Sequence, residues 1–386
     1  MTRPDRFADV LPEITAWRRE FHAHPELLYD LPRTAGRVAG LLRGFGCDEV
    51  VEGIGRSGVV GLIRGRSTGS GRVIGLRADM DALPIDEETG APWASVAPGR
   101  MHACGHDGHT AMLLGAARHL AETRGFDGTV ALIFQPAEEG GAGAREMLRD
   151  GLLDRFGIHE VYGLHNMPGL PVGRFAIREG AIMAAADQFD ITVTGKGGHA
   201  AKPHLCVDAV LVAAQIVVAL QTIAARVVDP LRPVVVSVCM VESASRAHNV
   251  LPQEVRMRGT ARTMDPAVQD LVERRITEIV TGVAAAHGAR AEVAYRRGYP
   301  VTVNAADPAR WAAEVAQAVA GPVALAEPMM GAEDFSFLLN ERPGAFIFLG
   351  NGDSAALHHP AYDFNDEAIP AGAAWLAGMA EARMPL

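Results

Sequence analysis

The chain has 386 residues, more than one hydrophobic core supports, so it holds more than one domain. With 48% hydrophobic and 21% charged residues it has the make-up of an ordinary globular enzyme rather than of a disordered or fibrous chain. Thirty-six basic against 46 acidic residues give a net charge of −10 without any Lys/Arg block, which excludes a nucleic-acid footprint and leaves a carboxylate ligand dependent on a local Arg or metal.

In chain order, "ITAWRREFHAHPEL" predicts an amphipathic helix running into Pro25. "GRVIGLRADMDALP" predicts a buried strand, apolar through Leu76, that breaks into charge at Arg77, Asp79 and Asp81. "DGTVALIFQPAEEGGAGAREML" predicts a buried strand, a short turn and a helix, and "EVYGLHNMPGLPVG" a short strand ending on His165 and Asn166. This alternation implies an α/β fold, doubly wound about a mixed, mostly parallel sheet, with each polar cluster past a strand's C-terminal end, the edge where such sheets bind ligands.

From about residue 186 the texture changes. "DQFDITVTGKGGHAA" alternates like a half-exposed strand, and "CVDAVLVAAQIVVALQTIAARV" predicts a long apolar helix whose core, "AVLVAAQIVVAL", is too short to span a bilayer. "PVVVSVCMVES", "EVRMRGTARTM", a helix near 266–287 and "ARAEVAYRRGYP" complete four strands and two helices, a small α+β domain. The α/β texture then resumes with a helix near 307–320, the loop "PMMGAEDFSFLL", the strand "GAFIFLG" and "NGDSAALHHPAYDFND". The expected division is therefore 1–185 and 299–386 for a catalytic domain and 186–298 for an inserted one.

Four scattered cysteines (Cys47, Cys104, Cys206, Cys239) argue against a disulfide scaffold and for a reducing compartment, and the N-terminus lacks the apolar run of a secretion signal. A cytoplasmic protein, with no membrane or nucleic-acid partner, is the expectation.

"MHACGHDGHTA" sets Cys104 and His106 two residues apart, close enough for one loop to present both to one centre. Alone, the stretch reads equally as a buried thiol beside a helix-start histidine; His102 and His109 are assigned supporting places only. "PAEEGG" places Glu138 beside Glu139, a pair that repels unless a cation or shared proton compensates, or that merely opens a helix. "GLHN" and "LHHP" add His165 and His358/His359. Their conjunction at one predicted edge offers ligands for two metal ions and one spare carboxylate as a base, the parts for hydrolysing an amide or ester.

"HPEL", "RADMDALP", "MHACGHDGHTA", "QPAEEGGAGA", "GLHNMP", "GKGGHAAKPH", "NVLP", "GTAR", "GAEDFSF" and "LHHPAYDFND", in that order from about residue 18 to 366, resemble the dinuclear metallo-aminoacylase family. The match is to its hippurate-hydrolase and indoleacetyl-amino-acid-hydrolase branch, within the carboxypeptidase G-like superfamily. The resemblance implies a catalytic α/β domain, an inserted dimerisation domain, ligands at Cys104, His106, Glu139, His165 and His358, and Glu138 as general base. His358 is preferred to His359 on the "LH-x-P" pattern. Where the wider superfamily has His-x-Asp, this chain has Arg77-Ala78-Asp79, and Asp79 is read as orienting a ligand, or else, with Asp81, as a turn residue. In relatives the histidine matching His199 reaches the neighbouring subunit's site and steadies the oxyanion. Asn249 and Arg262 resemble the pair that orients the substrate, Arg262 through its carboxylate.

The expected enzyme is a metal-dependent amidohydrolase cleaving N-acyl amino acids to a carboxylic acid and an amino acid, by metal-activated water with Glu138 as base. It would use two divalent ions, Zn2+ or Mn2+ with Co2+ or Ni2+ also compatible, in a homodimer or tetramer of dimers. Dipeptidase, carboxypeptidase and acetyl-diaminopimelate deacetylase activities share this chemistry. Two other classes compete: a thiol amidase with Cys104 as nucleophile and His106 as base, and a metal-dependent binding protein without catalysis. The first leaves the glutamates and distant histidines unexplained, and the second predicts loss of Glu138 or a ligand, which has not occurred.

Overall fold

The structure, a computed structural model, describes residues 4–386. The chain folds as two compact units: the first comprises residues up to Gly180 with Val303–Glu327 and Asp334–Leu386, the second Ala181–Thr302 with Pro328–Glu333. The brief return of Pro328–Glu333 to the second unit has no counterpart in the alternation of apolar residues.

An eight-stranded sheet organises the first unit, in the order Glu49–Ile54, Gly58–Arg64, Thr129–Gln135, Val73–Asp79, Glu160–Pro168, Gly344–Gly352, Phe175–Ile177, Ala324–Leu325. The four strands from Thr129–Gln135 to Gly344–Gly352 run parallel, and antiparallel pairs flank them. Central parallel strands are covered on both faces, so they read as unbroken apolar runs: Val130–Gln135 and Ile74–Asp79 are buried throughout. The predicted doubly wound, mostly parallel sheet is the one observed. "EVYGLHNMP" forms a nine-residue strand with His165 inside it, opposite Phe348, rather than a short strand ending at that histidine.

The helix Leu11–Ala23 buries Ile14, Trp17, Arg18, Phe21 and His22, an i, i+3, i+4, i+7, i+8 stripe that includes two ionisable side chains. The helix His106–Thr123 is buried along most of its length, and the closing helix Ile369–Arg383 lies against it. That last helix is buried from Ala371 to Ala380 on all sides and anchors Trp375, whose Nε1 donates to Ala312 O at 3.0 Å.

The second unit holds an antiparallel sheet in the order Val234–Ser243, Glu254–Thr263, Ala185–Thr194, Arg290–Tyr299, packed against helices Ala209–Leu220 and Pro266–Ala286. Asp208 and Asp265 cap these helices, each accepting from two amides of the first turn. The apolar helix is longer than its sequence core suggests. It continues through a π-helical turn, and Ala209–Val227, 19 residues, has the length and composition to cross a membrane, which corrects the expectation that the run is too short. Val212, Ala213, Ile216, Leu220 and Ile223 pack into this unit's core.

Candidate metal centre

The sheet brings three connecting segments and two of its strands together. Asp79 is the last residue of its strand, Glu138 and Glu139 follow the strand Thr129–Gln135, and His358 follows Gly344–Gly352. Cys104 and His106 do not sit at a strand end as expected: they close the long segment from Met80 to Gly105, and His106 is the first residue of its helix. Gly105 between them is left-handed, with φ +83.

Cys104, His106 and His165 offer ligand atoms within 4.8 Å of one another, as do Cys104, Glu139 and His358, and also His106, Glu138 and Glu139. Cys104 Sγ stands 3.4 Å from His165 Nε2, and His358 Nε2 stands 3.4 Å from Glu139 Oε1. His358, not its neighbour His359, thus meets Glu139; His359 is exposed and accepts at Nδ1 from Ala361 N at 3.0 Å.

The histidine tautomers follow from their partners, because a carbonyl or carboxylate only accepts. His106 Nδ1 donates to Asp81 O at 2.8 Å and His165 Nδ1 to Asn166 O at 2.7 Å, so each turns its Nε2 inward. His109 Nδ1 donates to Asp79 Oδ1 at 2.6 Å, and its Nε2 accepts from Asn166 N at 3.0 Å, so it supports the cluster. Asp81 accepts the backbone amides of Glu138 at 2.8 Å and Glu139 at 3.1 Å and so orients both glutamates, a role that reading it as a turn residue misses. Asp79 also meets Arg77, which reaches on to Asp334 at 3.1 Å; Asp334 accepts from Ala144 N at 2.9 Å. Tyr362 donates to Asn166 Oδ1 and Asn166 Nδ2 to Cys104 O, each at 2.6 Å. Sequence reasoning named Asp81 and Asn166 without these roles and passed over Tyr362 and Asp334, although all four lie inside the quoted motifs.

Electrostatically the cluster is short of positive charge. Burial, then the charges of Glu139 and Glu138, push the Cys104 thiol well above its ordinary range. Burial pushes the His106 imidazole down, but Asp79, Asp81 and Glu139 outweigh it and hold it at about 10. His165, buried and beside His109, is pushed well below its usual value, and burial lowers His102 to about 3.

The donor set fits divalent ions on two observations. His106 Nε2 and Glu139 Oε1 are buried polar atoms with no hydrogen-bond partner, each facing the cluster. Ligands bound at about 2.0–2.3 Å around one tetrahedral ion stand roughly 3.4 Å apart, the separation of both close pairs.

Residues 75–382 match the description Peptidase family M20/M25/M40. The chain belongs to that family. It is 39% identical to the hippurate hydrolase of Campylobacter jejuni, over 96% of this chain and 97% of that one. It is 38% identical to the N-acetylcysteine deacetylase of Bacillus subtilis, over 94% of each. The solved structure of the Bacillus subtilis YXEP protein, described as a dinuclear metal binding peptidase, superposes with a TM-score of 0.86 at 34% identity, covering 97% of this chain and 98% of that one. This M20 family member is a hydrolase of amide bonds, and its ligand groups support divalent metals.

His199, Asn249 and Arg262 belong to the second unit. His199 pairs with Val250 across a two-stranded ladder, and Ala200 N donates to Asn249 O at 3.0 Å, so His199 and Asn249 are neighbours. His199 Nδ1 accepts from Ala201 N at 3.1 Å, which leaves the proton of the neutral ring on Nε2. Arg262 lies on another strand, opposite Val235 and Ala186, and bonds Thr260 Oγ1 and Ala261 O. Among the described residues it forms no salt bridge, and partial burial lowers its pKa.

Proposed function

We propose that this M20 hydrolase cleaves N-acyl amino acids of the hippurate or N-acetyl type, releasing a carboxylic acid and a free amino acid. The observation that carries this reading is Glu138 beside Glu139 and His106, its backbone fixed by Asp81. Cys104, His106, Glu139, His165 and His358 would hold two divalent ions, zinc or manganese, and such ions supply Lewis-acid chemistry: carbonyl polarisation and more acidic water. Glu138 takes the proton of the attacking water as oxygen bonds to the acyl carbon. When the C–N bond breaks, the same carboxylate returns that proton to the departing nitrogen. Ala137 before it has φ +53, a conformation that the surrounding turn must enforce and that suits a residue held for chemistry.

His199 donates Nε2–H to the developing oxyanion, from the partner subunit of a homodimer. Its Nδ1 bond to Ala201 N supports this, since it leaves Nε2 as the ring's donor. Arg262, which forms no salt bridge among the described residues although Asp187 lies within electrostatic reach, pairs with the amino acid's carboxylate, and Asn249 orients it. The dimer reading rests on the free edge of strand Val234–Ser243, with exposed Val235 and Val241, and on Val210, Leu211 and Val218 of the neighbouring helix, 45%, 51% and 72% exposed. Four free cysteines support a cytoplasmic setting.

The test is hydrolysis of N-acetyl and N-benzoyl amino acids, with dipeptides alongside, by chelator-stripped protein before and after zinc or manganese is restored. The proposal expects activity on the N-acyl substrates to vanish and return. Preference for dipeptides would move the substrate, and activity indifferent to stripping would return the thiol reading.

A further inference from the structure

A buried helix face normally carries apolar residues, yet Leu11–Ala23 turns Arg18 and His22 inward with both side chains fully buried. Neither has a part in the chemistry above. The Arg18 guanidinium spreads over three partners in one loop: Nε donates to Asp366 Oδ1 at 2.7 Å, Nη1 to Asp363 Oδ1 at 3.1 Å, and Nη2 to Phe364 O at 3.3 Å. The same Nη1 lies 3.5 Å from Asp107 Oδ2. One turn along the helix, His22 Nδ1 meets that Asp107 oxygen at 2.8 Å, and its Nε2 meets Glu87 Oε1 at 3.2 Å.

The partners carry the meaning. Asp107 directly follows His106, and Asp363 and Asp366 close the loop that bears His358. One side chain therefore ties together two segments some 250 residues apart in sequence, each holding a candidate ligand. The His358 loop has need of such a tie. His358 has φ +65, a left-handed conformation that a residue with a side chain keeps only where its surroundings enforce it. On one side its backbone N donates to Ala103 O at 2.8 Å, beside Cys104. Arg18 grips the other end of the loop.

We propose that Arg18 is a positioning residue for the metal centre, its guanidinium fixing the placement of His358 relative to His106. This rests on the reading that both histidines are metal ligands. Arginine suits the task because its planar fork directs five N–H donors along fixed lines and stays charged, whereas lysine offers one compact charge that cannot span two loops. Arg19 is the internal contrast. It binds the outer oxygen of Asp366 at 2.8 and 3.0 Å while half-exposed and stacked over Trp93, and it reaches neither Asp107 nor Asp363 by any described bond.

The experiment loads chelator-stripped full-length protein with Co(II). It reads the d–d and thiolate charge-transfer absorption and the affinity by competition with a chromophoric chelator, alongside circular dichroism and thermal melting. Arg18→Lys should keep a cooperative fold yet bind Co(II) about 10- to 100-fold more weakly with displaced d–d bands, the scale expected when a residue that orients a ligand is lost. Arg19→Ala should match wild type. Asp366→Asn, at the partly exposed end of the network, should shift the spectrum in the same direction and serves as the readout if Arg18→Lys fails to fold. Wild-type affinity and spectrum in folded Arg18→Lys, or in Asp366→Asn if that is the only folded variant, would overturn the proposal and leave a structural brace. Wild-type protein that binds no Co(II) would overturn the metal reading beneath it.

Discussion

Gly105→Ala places a methyl group between two candidate ligands, and its cost can be worked from the structure. The residue has φ +83, where a side chain costs about 1–2 kcal/mol. A Cβ there would stand 2.3 Å from Asn166 Nδ2 and 2.6 Å from Tyr362 Oη, contacts that neither buried group can tolerate in place. Asn166 must withdraw, breaking its 2.6 Å bond to Cys104 O and the 2.6 Å bond it accepts from Tyr362. Each buried polar group left unpaired costs about 1–3 kcal/mol. The sum is roughly 3–8 kcal/mol, at the severe end for one substitution. Because Asn166 also holds His109 and follows His165, metal affinity should fall with stability, by about 10- to 100-fold. Urea denaturation and chelator competition measure the two. A variant with wild-type midpoint and affinity would refute the packing argument.

Asp81→Asn puts an amide N–H₂ against a backbone N–H of Glu138 or Glu139; about 1–3 kcal/mol should be lost, with kcat falling more than metal content, by melting, metal analysis and steady-state kinetics. His22 supplies a pH signature in metal-free protein. Burial lowers its pKa, but Asp107 and Glu87 hold it at about 9, above the ordinary 6.5. The folded state thus binds the proton more tightly, and stability worth about 3 kcal/mol is complete below pH 6.5 and lost as pH rises through 9. Urea midpoints should fall across that window in wild type and less in His22→Gln; parallel slopes would contradict the assignment. His199→Ala and Glu138→Gln should each be nearly inactive, yet recover turnover when mixed and reassociated if His199 acts across a dimer. No recovery from mixed dimers would place it within its own subunit.

Much of the site was legible because buried parallel strands are apolar, so charge within or just beyond them stands out. "ALIFQPAEEGG" and "YGLHN" show this directly: Ala131 to Gln135 and Tyr162 to Asn166 are buried, with Glu138 and Glu139 just past the first strand and His165 within the second. Cys104 and His106 were found by their spacing, but not their setting, since the segment before them is neither strand nor helix. The closing helix Ile369–Arg383 left no signal, because a helix buried on every side has no amphipathic period. The supporting residues were hidden for a different reason. Arg18 and Asp366 are 348 positions apart, and nothing local distinguishes a buried arginine from a solvated one until its partners are in place.

The central claim, that Glu138 moves the proton while its neighbours hold metal, is tested most directly by Glu138→Gln in metal-loaded protein. The substitution keeps the size and backbone of a residue whose amide Asp81 already holds, and removes only its capacity to take a proton. The account predicts two bound ions per chain, a wild-type melt, and hydrolysis of N-acyl amino acids reduced by several orders of magnitude. A folded variant that holds both ions and turns over near the wild-type rate would contradict it.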